Sequence, residues 1–155
     1  MPSQVEHGAE TNVMSAKQFI DTNVFIYSFD EEQPKKRAKA LSLIQGALSK
    51  RTGIISTQVV QEFLNVATRK FVKPLRESDA RRYLQTVLAP LCEVYPSMQL
   101  YEAALGISTE TGFSFYDCLI VAAAVSADCD TLLTEDLQHG RNIRGLSIIN
   151  PFHDA

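Results

Sequence analysis

No apolar run in this sequence approaches the roughly 20 residues needed to cross a bilayer. The longest, Cys118 to Val125, stops far short of that. Cysteine is scarce: Cys92, Cys118 and Cys129 are odd in number and lack the close spacing of a zinc or redox motif. They read as small core hydrophobes suited to a reducing cytoplasm. The opening stretch MPSQVEHGAETNV has no basic patch followed by an apolar segment, so no secretory signal is expected. Basic charge is not in excess either, since 15 Lys and Arg face 18 Asp and Glu for a net charge of −3. That balance argues against a protein that coats nucleic acid electrostatically. Setting four acids aside for a site leaves 14 acidic against 15 basic residues, a nearly neutral remainder. Internal repeats, long linkers and low-complexity tracts are missing as well, and Tyr and Phe are too scattered to suggest a base-stacking platform.

What is present is an alternation of short apolar strands and helical patterns. Residues 1–13 are polar and aperiodic and are expected to be a disordered tail, with Met14 as an alternative start and a single domain over 14–155. Strands are expected at 17–20, 53–56, 92–95, 131–134 and 146–150. A helical turn or two follows the first strand. Longer helices are expected at 34–50, with a stripe of Leu41, Ile44 and Leu48, and at 57–70, with Val59, Phe63 and Val66. Further helices are expected at 78–90, capped by Ser78 and stopped by Pro90, at 97–112, closed by Gly112, and at 113–125. Strands alternating with helices imply an α/β fold, a three-layer α/β/α sandwich with a mostly parallel sheet. Such folds bind ligands outside the carboxyl ends of the strands, where the strand order reverses.

Four acids are conspicuous against that frame. Asp21 lies just beyond the first strand and Asp136 just beyond the fourth, each a site position and equally a helix-capping position. Glu62 borders the apolar stripe of its helix, where it either reaches water or turns inward. Asp117 stands in the first turn of FSFYDCLIVAAAV, a helix apolar on nearly every side, where burial without a partner is costly. The helix dipole, with Ser114 as N-cap, is one answer for Asp117. Taken jointly, the four could meet in one pocket, where like charges need a cation. Oxygen-only ligands select a hard ion, Mg²⁺ or Mn²⁺.

QFIDTNVFIYSFD, ISTQVVQEFLNVATRK, FSFYDCLIVAAAV and CDTLLTEDLQHG occur in the order found in PIN-domain ribonucleases. The sequence resembles most the toxin of bacterial VapBC toxin–antitoxin pairs, over roughly Lys17 to Phe152. The resemblance implies a five-stranded parallel sheet and an endoribonuclease dependent on Mg²⁺ or Mn²⁺. It implies Asp21, Glu62, Asp117 and Asp136 as the catalytic and metal-holding quartet, with Asn23 and Thr134 as polar supports. Glu135 is a possible substitute ligand, although the Thr-x-Asp pattern favours Asp136. The chemistry implied is hydrolysis of an RNA phosphodiester by activated water in line with the leaving oxygen, with one or two ions neutralising the phosphate. The implied partners are RNA, a small antitoxin and a second copy in a homodimer, and no membrane.

Two other classes compete. A binding module holding RNA or protein without cutting would not need all four acids, and an RNA-processing nuclease would share the chemistry without being a toxin. Phosphoryl transfer through an aspartyl-phosphate, as in haloacid-dehalogenase-like phosphatases, calls for Asp-x-Asp after the first strand, whereas this chain has Asp21-Thr22-Asn23. The histidines earn no catalytic role: His139 reads as a helix-end residue before Gly140, and His7 and His153 have no partner in view. Lys35, Lys36, Arg37 and Lys39 read as a solvated helix face, with steering of an RNA backbone as the alternative. Arg69, Lys70, Lys73 and Arg76 form a similar cluster.

Overall fold

The computed structural model describes residues 16–154, so the expected tail over 1–13 and the alternative start at Met14 lie outside the described residues. The elements run β1 (Gln18–Ile20), α1 (Thr22–Tyr27), α2 (Pro34–Lys50), β2 (Gly53–Ser56), α3 (Thr57–Arg69), α4 (Glu77–Tyr83). After α4 come a π-helical stretch (Leu84–Leu88), the single turn α5 (Ala89–Leu91), β3 (Cys92–Val94), α6 (Met98–Thr111), α7 (Phe115–Ser126), β4 (Thr131–Leu133), β5 (Asn142–Ile143) and β6 (Leu146–Ile149). No helix among the described residues is long and apolar enough to cross a membrane.

The sheet has the order β3-β2-β1-β4-β6-β5, and every pairing is parallel except that of β5 with β6. The five parallel strands are those expected from the apolar runs. The sixth, β5, is a two-residue antiparallel addition at the edge. Its hairpin turns through Arg144 and Gly145, both at positive φ (52° and 86°), as a two-residue loop of matching twist requires. Helices cover both faces, and all four residues of β2 are buried. That burial explains why its run GIIS shows no alternation.

Local chemistry explains most boundaries. Ser97 caps α6 by accepting from the Leu100 N–H, and Gly112 ends it in the left-handed conformation. Ser114 caps α7 by accepting from the Asp117 N–H. α7 then buries Cys118 and Ile120 through Ala124, as its uniform apolarity requires. On α2 the buried positions are Ala40, Ile44 and Ala47, while Leu41 is 36% exposed. Small side chains are selected there because Gly53 of β2 lies so close that an added Cβ would come within 2.4 Å of the Ala47 Cβ. On α3 the stripe is Val59, Phe63 and Ala67. Phe63 is the hub of an aromatic cluster with Phe25, Phe29, Phe71 and Tyr83.

The expected helix at 78–90 requires correction at both ends. It starts at Glu77, with Arg76 in the cap position and no side-chain cap bond, so Ser78 is not the cap. Pro90 does not stop it but sits inside the last turn, α5. A prolyl ring has no N–H to donate and crowds the carbonyl four residues earlier. The backbone answers by widening the preceding turn, with the Ala89 N–H donating to the Leu84 carbonyl five residues back. His139 also departs from expectation: it lies in a turn, not at a helix end. Its ring stacks on that of His153 with centroids 4.3 Å apart, and its Nδ1 accepts from the Asn150 N–H.

Candidate active site

The strand order reverses between β1 and β4, and both strands deliver an acid at their carboxyl ends. Asp21 follows β1 as the N-cap of α1, in extended conformation (φ −75°, ψ 162°). One carboxylate oxygen accepts from the Thr22 N–H at 2.7 Å and the other from the Thr134 hydroxyl, also at 2.7 Å. That hydroxyl in turn accepts from the Asp136 N–H at 3.1 Å. Thr134 therefore locks the end of β4 to the end of β1. Asn23 donates its side-chain N–H to Asp136 Oδ1 at 3.0 Å, and the Thr22 hydroxyl reaches Glu62 Oε1 at 3.5 Å. A continuous chain runs Glu62–Thr22–Asp21–Thr134–Asp136–Asn23. Asp21 thus takes the capping role open to it in the sequence.

Electrostatics tie the fourth acid to these three. Asp21 is only 7% exposed, and burial raises its pKa from 3.8 to about 6, with the charges of Asp136 and Glu62 adding to the rise against the Thr134 and Thr22 hydrogen bonds. Glu62 stands on the solvent-facing rim. Partial desolvation raises its pKa, Gln58 and Thr22 oppose the rise, and Asp136 and Asp117 reinforce it. Asp136 is raised by desolvation, held back by Asn23, and pushed up again by Asp117 and Glu135. Asp117, half-buried on the first turn of α7, is thus close enough to act on both. Yet no group of three Asp, Glu, His or Cys side chains among the described residues converges tightly enough to enclose an ion.

Three neighbours escaped sequence reasoning. Glu135 accepts a hydrogen bond from the Tyr27 hydroxyl and pairs with Lys36 Nζ at 3.4 Å, while its charge still acts on Asp136. Lys36 also donates to the Tyr27 hydroxyl at 3.2 Å and lies 4.5 Å from that ring's centroid. One member of the basic cluster on α2 is therefore a structural partner of the β4 end, whereas Lys35, Arg37 and Lys39 remain exposed. Gln58 is one helical turn before Glu62, and its amide donates to the Tyr116 carbonyl at 3.2 Å. It links the Glu62 helix to the residue preceding Asp117. The i to i+4 spacing from Glu62 was the only signal for it.

A family model described as PIN domain matches residues 19–142. The chain belongs to the PIN-domain family. The matched range includes Asp21, Glu62, Asp117 and Asp136. Solved structures agree on the fold. This PIN domain is similar to a toxin–antitoxin complex from Klebsiella pneumoniae at 18% identity and TM-score 0.64, covering 87% of this chain and 98% of that one. It is similar to FitAcB from Neisseria gonorrhoeae at 16% identity and TM-score 0.60, covering 88% and 99%. It is also similar to VapC20 of Mycobacterium tuberculosis, described as a sarcin–ricin loop cleaving toxin, at 16% identity and TM-score 0.54, covering 77% and 92%. No curated protein matches the chain by sequence.

Proposed function

We propose that this PIN domain is an endoribonuclease dependent on Mg²⁺ or Mn²⁺, and the toxin of a type II toxin–antitoxin pair. One observation carries the nuclease reading: a buried Asp21 carboxylate at one sheet end, linked through Thr134 and Thr22 to Asp136 and Glu62, whose charges help raise its pKa to about 6, with Asp117 acting on those two in turn. Crowded carboxylates with oxygen-only surroundings fit a hard divalent cation. Mg²⁺ keeps several of its waters when carboxylates bind it, so it needs no closed protein cage. Asp21, Glu62, Asp117 and Asp136 would hold the ion. When bound, it would supply charge neutralisation at the phosphate and an activated water.

The chain's own groups prepare that chemistry. Thr134 and the Thr22 N–H fix both oxygens of Asp21, leaving its ionised form ready for a cation. Asn23 orients Asp136, and the Thr22 hydroxyl orients Glu62. The Lys36–Glu135–Tyr27 set diverts a fifth carboxylate from the pocket. The toxin assignment is supported by the likeness in fold to one structure described as a toxin–antitoxin complex and another described as a cleaving toxin, and it adds a small antitoxin and a homodimer as partners.

The test uses purified chain and structured RNA. Cleavage is expected with Mg²⁺ or Mn²⁺, abolished by chelator, and at least 100-fold slower in Asp21→Asn. RNA bound but uncut by the native chain under all metal conditions would overturn the enzyme in favour of a binding module. Growth arrest on expression, absent in Asp21→Asn, is expected of the toxin. Cleavage without arrest would indicate an RNA-processing nuclease.

A further inference from the structure

The segment after β4 carries two adjacent acids, Glu135 and Asp136, and residues 135–137 form a bend outside helix and strand. Side-chain contacts therefore set its direction. Thr134 ties its start to β1 through Asp21. α1 grips the two acids from one face, because Asn23 and Tyr27 stand one helical turn apart. Asn23 donates to Asp136 at 3.0 Å, and the Tyr27 hydroxyl donates to Glu135. Lys36 completes the grip from α2, its Nζ 3.4 Å from Glu135 and 3.2 Å from the Tyr27 hydroxyl oxygen. The same ammonium faces two rings, 4.5 Å from the Tyr27 centroid and 5.8 Å from that of Phe152. Phe152 is buried and packs edge-on against Tyr27 at 4.8 Å, so the turn after β6 backs the cluster. Lys36 is accordingly half-buried where Lys35, Arg37 and Lys39 are exposed.

We propose that Lys36 and Tyr27 are positioning residues that decide which of these two acids serves the acidic site, holding Glu135 away from it and leaving Asp136 to face it. The proposal rests on the nuclease reading and deepens it. Glu135 and Asp136 are near enough to compete for one cation, since the charge of Glu135 acts on Asp136 even while paired. An ammonium and a phenol hydroxyl together hold a carboxylate by charge-assisted bonds. Freed of them, Glu135 would keep its charge, and its side chain, one methylene longer than that of Asp136, would turn toward the nearest cation. It would then occupy a coordination position that water or a phosphate oxygen needs. A direct grip of Lys36 on an RNA phosphate fits less well. Its charge is already matched by Glu135, and the hydroxyl and two rings pin the ammonium where it is.

The experiment pairs cleavage of a structured RNA with calorimetric titration of Mn²⁺ into the full chain without RNA. Lys36→Met is expected to lower kcat about tenfold or more while KM changes by less than about threefold, as a misplaced group does. Its Mn²⁺ Kd is expected to fall about threefold or more, because a freed carboxylate joins the site. Adding Glu135→Gln to Lys36→Met is expected to return both quantities toward the native values, a recovery that a merely structural loss would not show. Lys36→Arg is expected to behave as native, since a guanidinium pairs with a carboxylate and lies on aromatic faces. Tyr27→Phe, which keeps the ring and the packing on Phe152, is expected to repeat the kcat and Mn²⁺ effects and their reversal by Glu135→Gln. Equal losses with and without Glu135→Gln would overturn the positioning role. A higher KM at unchanged kcat, indifferent to Glu135→Gln, would overturn it too and make Lys36 a contact of the RNA backbone. Failure of the native chain to cut would sink the nuclease, and the Mn²⁺ titrations would still decide: tighter binding in Lys36→Met, reversed by Glu135→Gln, supports the clamp, and identical curves refute it.

Discussion

Asp21 concentrates the conflict between stability and chemistry in one side chain. Its carboxyl pKa rises from 3.8 to about 6 on folding, so the folded state holds its proton more tightly than the unfolded chain. A raised acid weakens folding as pH climbs from about 4 to about 6, and the full penalty persists above that. Two pKa units correspond to about 3 kcal/mol. In chelator, Asp21→Asn is therefore expected to be more stable than the native chain at pH 7.5 by up to about 3 kcal/mol, with the gap closing toward pH 4. Paired thermal melts across that range check it, and a gap independent of pH would refute the assignment. Thr134 is the counterpart. Its hydroxyl serves both Asp21 and Asp136, so Thr134→Val should cost about 1–3 kcal/mol at pH 7.5 by leaving a buried carboxylate short of a donor, read by urea denaturation. Asp21 and Asp136 stood out in the sequence because they follow strands directly, and Glu62 and Asp117 because they sit against apolar helix patterns. Tyr27, Lys36 and Gln58 did not, because their roles are contacts between segments distant in sequence, and a Lys on a charged helix face or a Gln on a helix edge violates nothing.

Elements place these residues, and two of them can be probed separately. β2 carries no acid, but it spaces β1 from α2 through Gly53, where a Cβ would lie 2.4 Å from the Ala47 Cβ and 3.1 Å from Ile20 Cδ1. Gly53→Ala should destabilise by about 1–3 kcal/mol through overpacking, and because Ile20 precedes Asp21, activity should fall along with the melting temperature. α7 makes the opposite case. Its N-terminus is capped by Ser114, and its body is core, so Asp117→Asn should leave folding intact while weakening the ion's hold. Ligand stabilisation grows by about 1.4 kcal/mol for each tenfold of ion above Kd. Titrating Mn²⁺ should raise the native melting temperature steadily and that of Asp117→Asn much less; coincident titrations would remove Asp117 from the ligand set. Apolar periodicity gave five strands and the main helices, because burial imposes it. It missed the π-helical stretch before Pro90, a response to prolyl crowding. It missed β5, whose turn uses Arg144-Gly145 where an Asn-Gly pair would have signalled a hairpin.

At the scale of the whole molecule, a net charge of −3 and a group of carboxylates mean that bulk electrostatics would not hold the proposed RNA substrate. Affinity for single-stranded RNA should fall only gently with salt, with a log–log slope near that of about two or three phosphate contacts. Exposed Lys35, Arg37 and Lys39 are the first candidates for those contacts, and a steep slope would point to a broader basic surface. The topology has a further consequence. β1 lies between β2 and β4, pairing Gln18–Ile20 with Thr131–Leu133, and Thr134 closes on Asp21 from 113 positions away. While a ribosome is still assembling the first two-thirds of this protein, the strand that completes this end of the sheet does not yet exist. On the proposed nuclease reading, a nascent molecule tethered among ribosomal and messenger RNA is harmless until β4 has been made.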